Sequence, residues 1–280
     1  MTAIFLVTLI SGCRSNDDYN KLGEAGIKYI DAVNLLLDES AKARVDLSSE
    51  QTLANDRISN IEAVRYAEIS NSDRNRIKYI NAIMQHNLML KKYFLLLQEL
   101  ANSDAPQKAQ TEIEKVAKNL TSLGIVIRTG AAGSPSVGPT LGSGVNLIVK
   151  LQIREALKQE LEKRGKLISS ELKIQEEALE KIGKIMLEDK EKISKLQENR
   201  LVVRSILSPN PIGDETGWIK TRQGILTMAI MSENLKSASS TLGNFKDIFE
   251  SFLEGKSDIK SVNIFLSEVE AFVKIVSSNK

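Results

Sequence analysis

The residues with the richest chemistry in this chain are its scarcest, one Cys at position 13 and one His at position 86. That count excludes a disulfide framework, a Cys-rich zinc site and an iron–sulfur cluster held by four thiolates of one chain. His86 falls on a helical stripe with Tyr79, Ile83, Leu90 and Leu97. The spacing predicts a core imidazole satisfied by one hydrogen bond, not a metal ligand or a general base. The nucleophile-elbow pattern Gly-x-Ser-x-Gly does not occur, and one His on a helix does not make a Ser-His-Asp order. A Gly-rich stretch ends in Gly142-Ser143-Gly144-Val145, without the Lys-Ser/Thr that a phosphate-cradling loop requires. Glu176-Glu177-Glu180 and Glu188-Asp189-Glu191 alternate with Lys at ion-pair spacing and read as solvated helix faces. The expectation is a protein without catalytic activity, metal, cofactor or small-molecule substrate.

The elements that carry these residues are helical. The 280 residues hold 38 Lys+Arg against 36 Asp+Glu, a formal +2, and are 42% hydrophobic, enough for a sizeable core and with no charge excess to draw nucleic acid. Leu22, Tyr29, Val33 and Leu36 mark a helix from Tyr19 to Ala43. Ser48 with Gln51 reads as a capping box opening a second, through Ile58, Ile61 and Val64. Asp73 reads as the cap of a third, running to about Leu100, and Asp104 with Pro106 starts a fourth. The strongest signal spans Asn146 to Arg204, with Ile168, Leu172, Leu179, Ile182, Met186, Ile193, Leu196 and Val203 inward. On its outer face lie Glu160–Arg164, Glu162–Lys166, Glu177–Lys181, Glu180–Lys184, Glu188–Lys192 and Glu191–Lys195 pairs. Residues 208–214, with Pro209, Pro211 and Gly213, form a hairpin turn that Trp218 staples to the bundle. Beyond it one stripe runs Met228, Met231, Leu235, Ala238, Leu242, Phe245, Phe249 and Phe252. Gly255-Lys256-Ser257 ends it, and Ile259, Val262, Leu266, Val269, Val273 and Val276 form a last helix. The predicted fold is all-α, an elongated antiparallel helical bundle with long coiled-coil-like helices.

Residues Met1 to Gly12 carry no charged side chain and run through Ile4, Phe5, Leu6, Val7, Leu9 and Ile10, too few to span a bilayer as a helix. By composition they read either as the apolar core of a signal peptide or as an apolar start packed into the core, with Cys13 a buried thiol. Ile10-Ser11-Gly12-Cys13 resembles the lipobox of bacterial lipoproteins, and the chain's single Cys stands at its modified position. The resemblance covers these thirteen residues alone. It implies a cleaved signal peptide over 1–12, diacylglycerol and palmitate on Cys13, a lipidated tether over 13–20 and a helical domain over 21–280. It also implies a cell-envelope membrane anchor, in the outer membrane of a two-membrane organism because Arg14, not Asp, follows the Cys.

The domain is interrupted at 123–146. Between Lys118 and Lys150 the one charge is Arg128, and Gly124, Gly130, Gly133, Gly138, Gly142 and Gly144 cluster there with Pro135 and Pro139. Three readings stay open: a loop or short hairpin pairing Ile125–Ile127 with Val145–Val149, a partner-binding loop, or a membrane tongue. In organisation, not in any motif, the last is similar to the α-helical pore-forming toxins of the cytolysin A type, which insert an apolar hairpin. The candidate interaction or membrane residues are Ile125, Val126, Ile127, Ser134, Pro135, Val137, Pro139, Leu141 and Val145. The expected function is a non-catalytic, lipid-anchored structural or protein-interaction module with an unidentified protein partner. The alternative is a membrane-active protein that inserts residues 123–149.

Overall fold

The computed structural model describes residues 15–55, 63–102, 106–129, 153–256 and 259–277, of which residues 55, 63, 153–154 and 229–241 are described as backbone alone. Among the described residues 94% are helical and none lies in a strand. In chain order the elements are α1 (Asn16–Asn55), α2 (Ala63–Asn102), α3 (Pro106–Thr129) and α4 (Ile153–Gln197). A π-helical turn (Glu198–Val203) leads into α5 (Arg204–Ile206), followed by α6 (Glu215–Leu242), α7 (Asn244–Leu253) and α8 (Ile259–Ser277).

α1 runs straight through the point where a second helix was expected to open. Nothing between Ser40 and Asn55 is Gly or Pro, so no residue there interrupts the hydrogen-bond ladder. Ser48 does not cap. Its hydroxyl donates to the Val45 carbonyl at 2.9 Å and to the Asp73 carboxylate at 2.7 Å. Asp73 likewise lies inside α2, where it also accepts from Arg44 at 2.8 Å. Two side chains with capping chemistry thus cross-link two helices, because the same oxygens bond as well across an interface as along the chain. α3 does begin at Pro106, where the missing N–H costs nothing. Ile125, Val126 and Ile127 are helical within α3, which removes them from the expected hairpin.

Cross-pairs set the senses of the helices. Asn20–Asn102, Asp31–Lys91, Asn34–Asn87 and Arg44–Asp73 match rising numbers on α1 with falling numbers on α2. α2 and α4 oppose each other in the same way, through His86–Glu171 and Arg76–Asp189. α3 and α4 run in one sense: Glu114 faces Arg164 at 3.7 Å, and further along both helices Arg128 reaches Ser170 at 3.4 Å. Thr129 therefore ends about midway along α4, and residues 130–152 connect two parallel neighbours.

α4 is the central element, touching α1, α2, α3, α6 and α7. Ile168, Leu172, Leu179, Ile182, Met186 and Ile193 are buried as their spacing predicts. The repeat then slips: Val203 is 39% exposed while Val202 is buried at 4%. A π-helical turn over Glu198–Val203 interrupts the regular winding here, and the seven-residue count no longer marks the inward residue.

The second half of the chain docks through aromatic rings. The expected stripe keeps its inward side at Leu242, Phe245, Phe249 and Phe252, all buried, although Gly243 divides the helix into α6 and α7. Phe245 stacks on Tyr29 of α1 with centroids 4.8 Å apart, meets Phe94 of α2 edge-on at 5.5 Å and lies 5.3 Å from Phe265 of α8. Gly255, at φ 77°, closes α7 in the left-handed conformation as Lys256 N–H returns to the Ser251 carbonyl at 2.9 Å. On α8 the inward row is Val262, Phe265, Val269, Phe272 and Val276, with Leu266 and Val273 half-buried at its edge. Because one ring joins three helices, Phe245→Ala should destabilise the chain by about 3–5 kcal/mol. Thermal and urea unfolding will read it, and a loss under about 1 kcal/mol would mean α7 is not integral to the core.

Candidate functional site

Polar chemistry is concentrated in two places, one buried along α4 and one open at the far end of α1.

The buried set begins where α4 places polar side chains on positions that its apolar repeat already claims. Glu160, Arg164, Glu171, Gln175 and Asp189 share the three- and four-residue steps of Ile168, Leu179 and Ile182, and all are buried. His86 of α2 is fully buried, as its stripe predicts, and its Nε2 meets Glu171 Oε2 at 2.9 Å. With the carboxylate ionised, Nε2–H donates, while Nδ1 is buried without a partner. One turn on, Gln175 donates to Asn87, which donates to Asn34 of α1 at 2.7 Å. α3 closes over this layer at Gly124: a Cβ there would overlap Glu171 Oε2. A residue that composition assigned to a loop thus lies in α3, against Glu171 and Ile174 of α4.

Towards the start of α4, Glu160 pairs with Arg164, which also faces Glu114. The spacing marked Glu160–Arg164 as an outer-face pair. The structure buries it, because α2 and α3 both cover this side of α4. Burial pushes the Glu160 carboxyl up to about 7, against the opposing pull of the Arg164 guanidinium. Tyr93 is fully buried nearby, and burial raises its phenol well above the usual range. Asp189, expected on a solvated face, is 4% exposed and paired with Arg76 at 3.2 Å. Burial raises its carboxyl, partly offset by Arg76 and Arg44. Glu191–Lys195 closes on the surface as expected, at 2.6 Å.

The open site lies where the end of α1 meets the π-helical turn and the Pro-rich turn. A cleft of about 650 Å³ is lined by Leu53, Arg200, Arg204, Asn210, Ile212 and Trp218 among others. Trp218 is half-buried, and its indole N–H donates to the Val202 carbonyl at 3.4 Å. Glu50 of α1 takes Arg200 through both oxygens, at 2.9 and 2.8 Å. Burial pulls the Glu50 carboxyl up, but the donations from Arg200 and Gln197 together outweigh it and hold the carboxyl below the usual range. Asp214 caps α6 by accepting Gly217 N–H at 2.8 Å. Sequence reading singled out Trp218 here but missed Arg200 and Arg204, which look like ordinary members of a charged helix end.

Of the candidate interaction residues, Ile125 is exposed, Val126 half-buried and Ile127 buried, side by side on α3. Ser134, Pro135, Val137, Pro139, Leu141, Val145 and Cys13 lie outside the described residues. Among the described residues, no group of three or more His, Cys, Asp and Glu is placed to hold a metal ion. None of their helices is long and apolar enough to cross a membrane. No family model, curated protein or solved structure matches the chain.

Two outcomes follow from the buried set. Glu171→Leu alone leaves His86 unpaired and should cost about 3–5 kcal/mol, whereas His86→Leu with Glu171→Leu should return to within about 1 kcal/mol of the parent. Additive losses in the double-mutant cycle would show the pair is not coupled. For Glu160, the folded carboxyl binds its proton more tightly than the unfolded one. This contribution is therefore neutral below the ordinary carboxylate range and becomes a penalty as pH rises to about 7. Stability should fall by on the order of 3 kcal/mol between pH 4.5 and 8 on this account. The Glu160→Gln variant should flatten that slope in pH-dependent melting, and an unchanged slope would remove Glu160 from the account.

Proposed function

We propose that the chain is a non-catalytic, lipid-anchored envelope protein that holds an elongated, largely antiparallel bundle of coiled-coil-like helices against a membrane and offers its surface to another protein. The observation that carries this is the placement of the chain's single Cys in Ile10-Ser11-Gly12-Cys13, three residues before α1 begins. Acyl chains there contribute about 0.8 kcal/mol per buried methylene, and two or three of them hold a protein to a bilayer durably. With α1 starting at Asn16, the bundle stands close to the lipid surface. α1 is 40 residues long, so at about 1.5 Å per residue its far end lies roughly 60 Å from its start.

The absence of a second His or Cys near His86, and its direct pairing with Glu171 inside the core, support a structural role for the one residue best suited to catalysis. Arg14 after the Cys supports the outer membrane as the address in a two-membrane organism. Metabolic labelling with a palmitate analogue should mark the wild-type protein and leave Cys13→Ser unmarked and released from the membrane fraction. Equal labelling of both would end the anchor reading. Leakage of vesicles caused by the unlabelled variant would favour a membrane-active protein instead.

A further inference from the structure

We infer that α3 is a pH-sensitive strap on α4, fastened through Arg164 while the Glu160 carboxyl is neutral and loosened when it ionises. One guanidinium stands between two carboxylates on different helices. Arg164 donates Nη1 to Glu160 of its own helix and turns Nη2 towards Glu114 of α3 at 3.7 Å. The surroundings of the two carboxylates are opposite. The Glu160 side chain is 1% exposed, with Oε1 buried and without a hydrogen-bond partner, whereas that of Glu114 is 51% exposed and has Lys118 at 3.3 Å. The charged groups that act on Glu160 are Arg164 and Lys163 of α4 and Glu114 of α3, and Tyr93 faces it from α2. Burial pushes the Glu160 carboxyl up to about 7, while Lys118 above all holds Glu114 below the usual range. Two carboxylates that compete for one cation therefore titrate well apart.

Protonation at Oε1 breaks no hydrogen bond of Glu160, but it cancels the charge that holds Arg164. The ionised carboxylate left beside the guanidinium is then Glu114, and it belongs to α3. Solvation acts in the same direction. With α3 in place the Glu160 carboxyl is buried and keeps its proton up to about pH 7. With α3 lifted, water reaches it and it returns towards the ordinary carboxylate range, so opening releases a proton between those two limits. The closed state binds that proton more tightly, so it is favoured at low pH, and opening rises by at most about tenfold per pH unit until the folded carboxyl has ionised. α3 is suited to open by itself. It packs chiefly on α2 and α4, Ala109, Ala117 and Gly124 of its inward row present a methyl group or less, and its bond from Arg128 to Ser170 is long at 3.4 Å. Opening bares the rest of that row, Ile113, Val116, Leu120 and Ile127, as an apolar surface controlled by pH.

Native-state hydrogen exchange of the full chain carrying Cys13→Ser, measured at pH 5, 6 and 7 and divided by the intrinsic exchange rate, tests the strap. Residues 106–129 should be less protected than residues 22–37 of α1 at every pH, because α3 opens without the rest of the bundle. Their protection should fall by about tenfold to a hundredfold from pH 5 to pH 7, and Glu160→Gln, whose side chain is neutral throughout, should abolish that fall. Glu114→Gln changes an exposed side chain and leaves the core intact. It should weaken α3 protection by about threefold at pH 5 and leave it unchanged at pH 7, where Glu160 has taken Arg164 back. Equal protection of α3 and α1 would overturn the inference, since α3 would then open only with the whole chain. So would α3 protection that does not change with pH, or a fall that persists in full in Glu160→Gln. If that variant does not fold, Glu114→Gln decides: an equal effect at pH 5 and pH 7 would show that Arg164 is not handed from one carboxylate to the other.

Discussion

Everything in this bundle is constrained by one helix that is covered by five others and still carries ionisable side chains. α4 cannot leave Glu160, Arg164, Glu171 or Asp189 unpaired in its surroundings, because a buried charge without a partner costs several kcal/mol. Each is answered by a particular neighbour: Arg164 by Glu160 and Glu114, Glu171 by His86, Asp189 by Arg76. Those partners sit on α2, α3 and α4 itself, so the pairing fixes how far each helix can slide past α4. Apolar packing alone would tolerate a shift of one turn; a carboxylate meeting the wrong residue would not. Gly124 adds a steric condition to the electrostatic one, since α3 fits over Glu171 only where no Cβ intervenes.

The helical periodicity was legible because it depends on local spacing, and the start of α3 at Pro106 was legible because proline acts within its own turn. His86 was read correctly as a core residue, since its apolar neighbours are visible in the sequence. Glu171 was not, although it stands three residues from Ile168 on the same inward row. Polar residues at apolar positions were the available signal, and Glu160 with Arg164 read instead as a surface pair because i,i+4 spacing is the same on a buried face as on an exposed one. Ser48 and Asp73 failed for a related reason. Their oxygens suit a helix start, but only the partner helix decides whether they bond along the chain or across it.

The slip at Val202 and Val203 shows a limit of a different kind. A seven-residue repeat assumes constant winding, and the sequence from Glu198 to Val203 has no Gly or Pro to warn of a wide turn. The turn is settled by what surrounds it: Glu50 claims Arg200 and the Trp218 indole claims the Val202 carbonyl. Local winding yields to those two contacts, and the same distortion shapes one wall of the cleft.

The shared direction of α3 and α4 has a consequence for how the chain assembles in time. α1 with α2, and α2 with α3, are sequence neighbours that can pair as soon as they form. α4 instead has to be brought back beside helices made long before it, and the bond from Arg200, in the π-helical turn that follows it, to Glu50 closes 150 residues of chain. Loop closure on that scale is paid before the contacts repay it, so the docking of α4 is the late event. Interactions that form late act on escape from the native state more than on entry to it. The buried pairs of α4 and the ring cluster, which brings α7 and α8 back to α1 over a still longer loop, then govern how long the folded molecule lasts, and the α1–α2 seam how quickly it appears, a division visible in the two arms of a folding chevron.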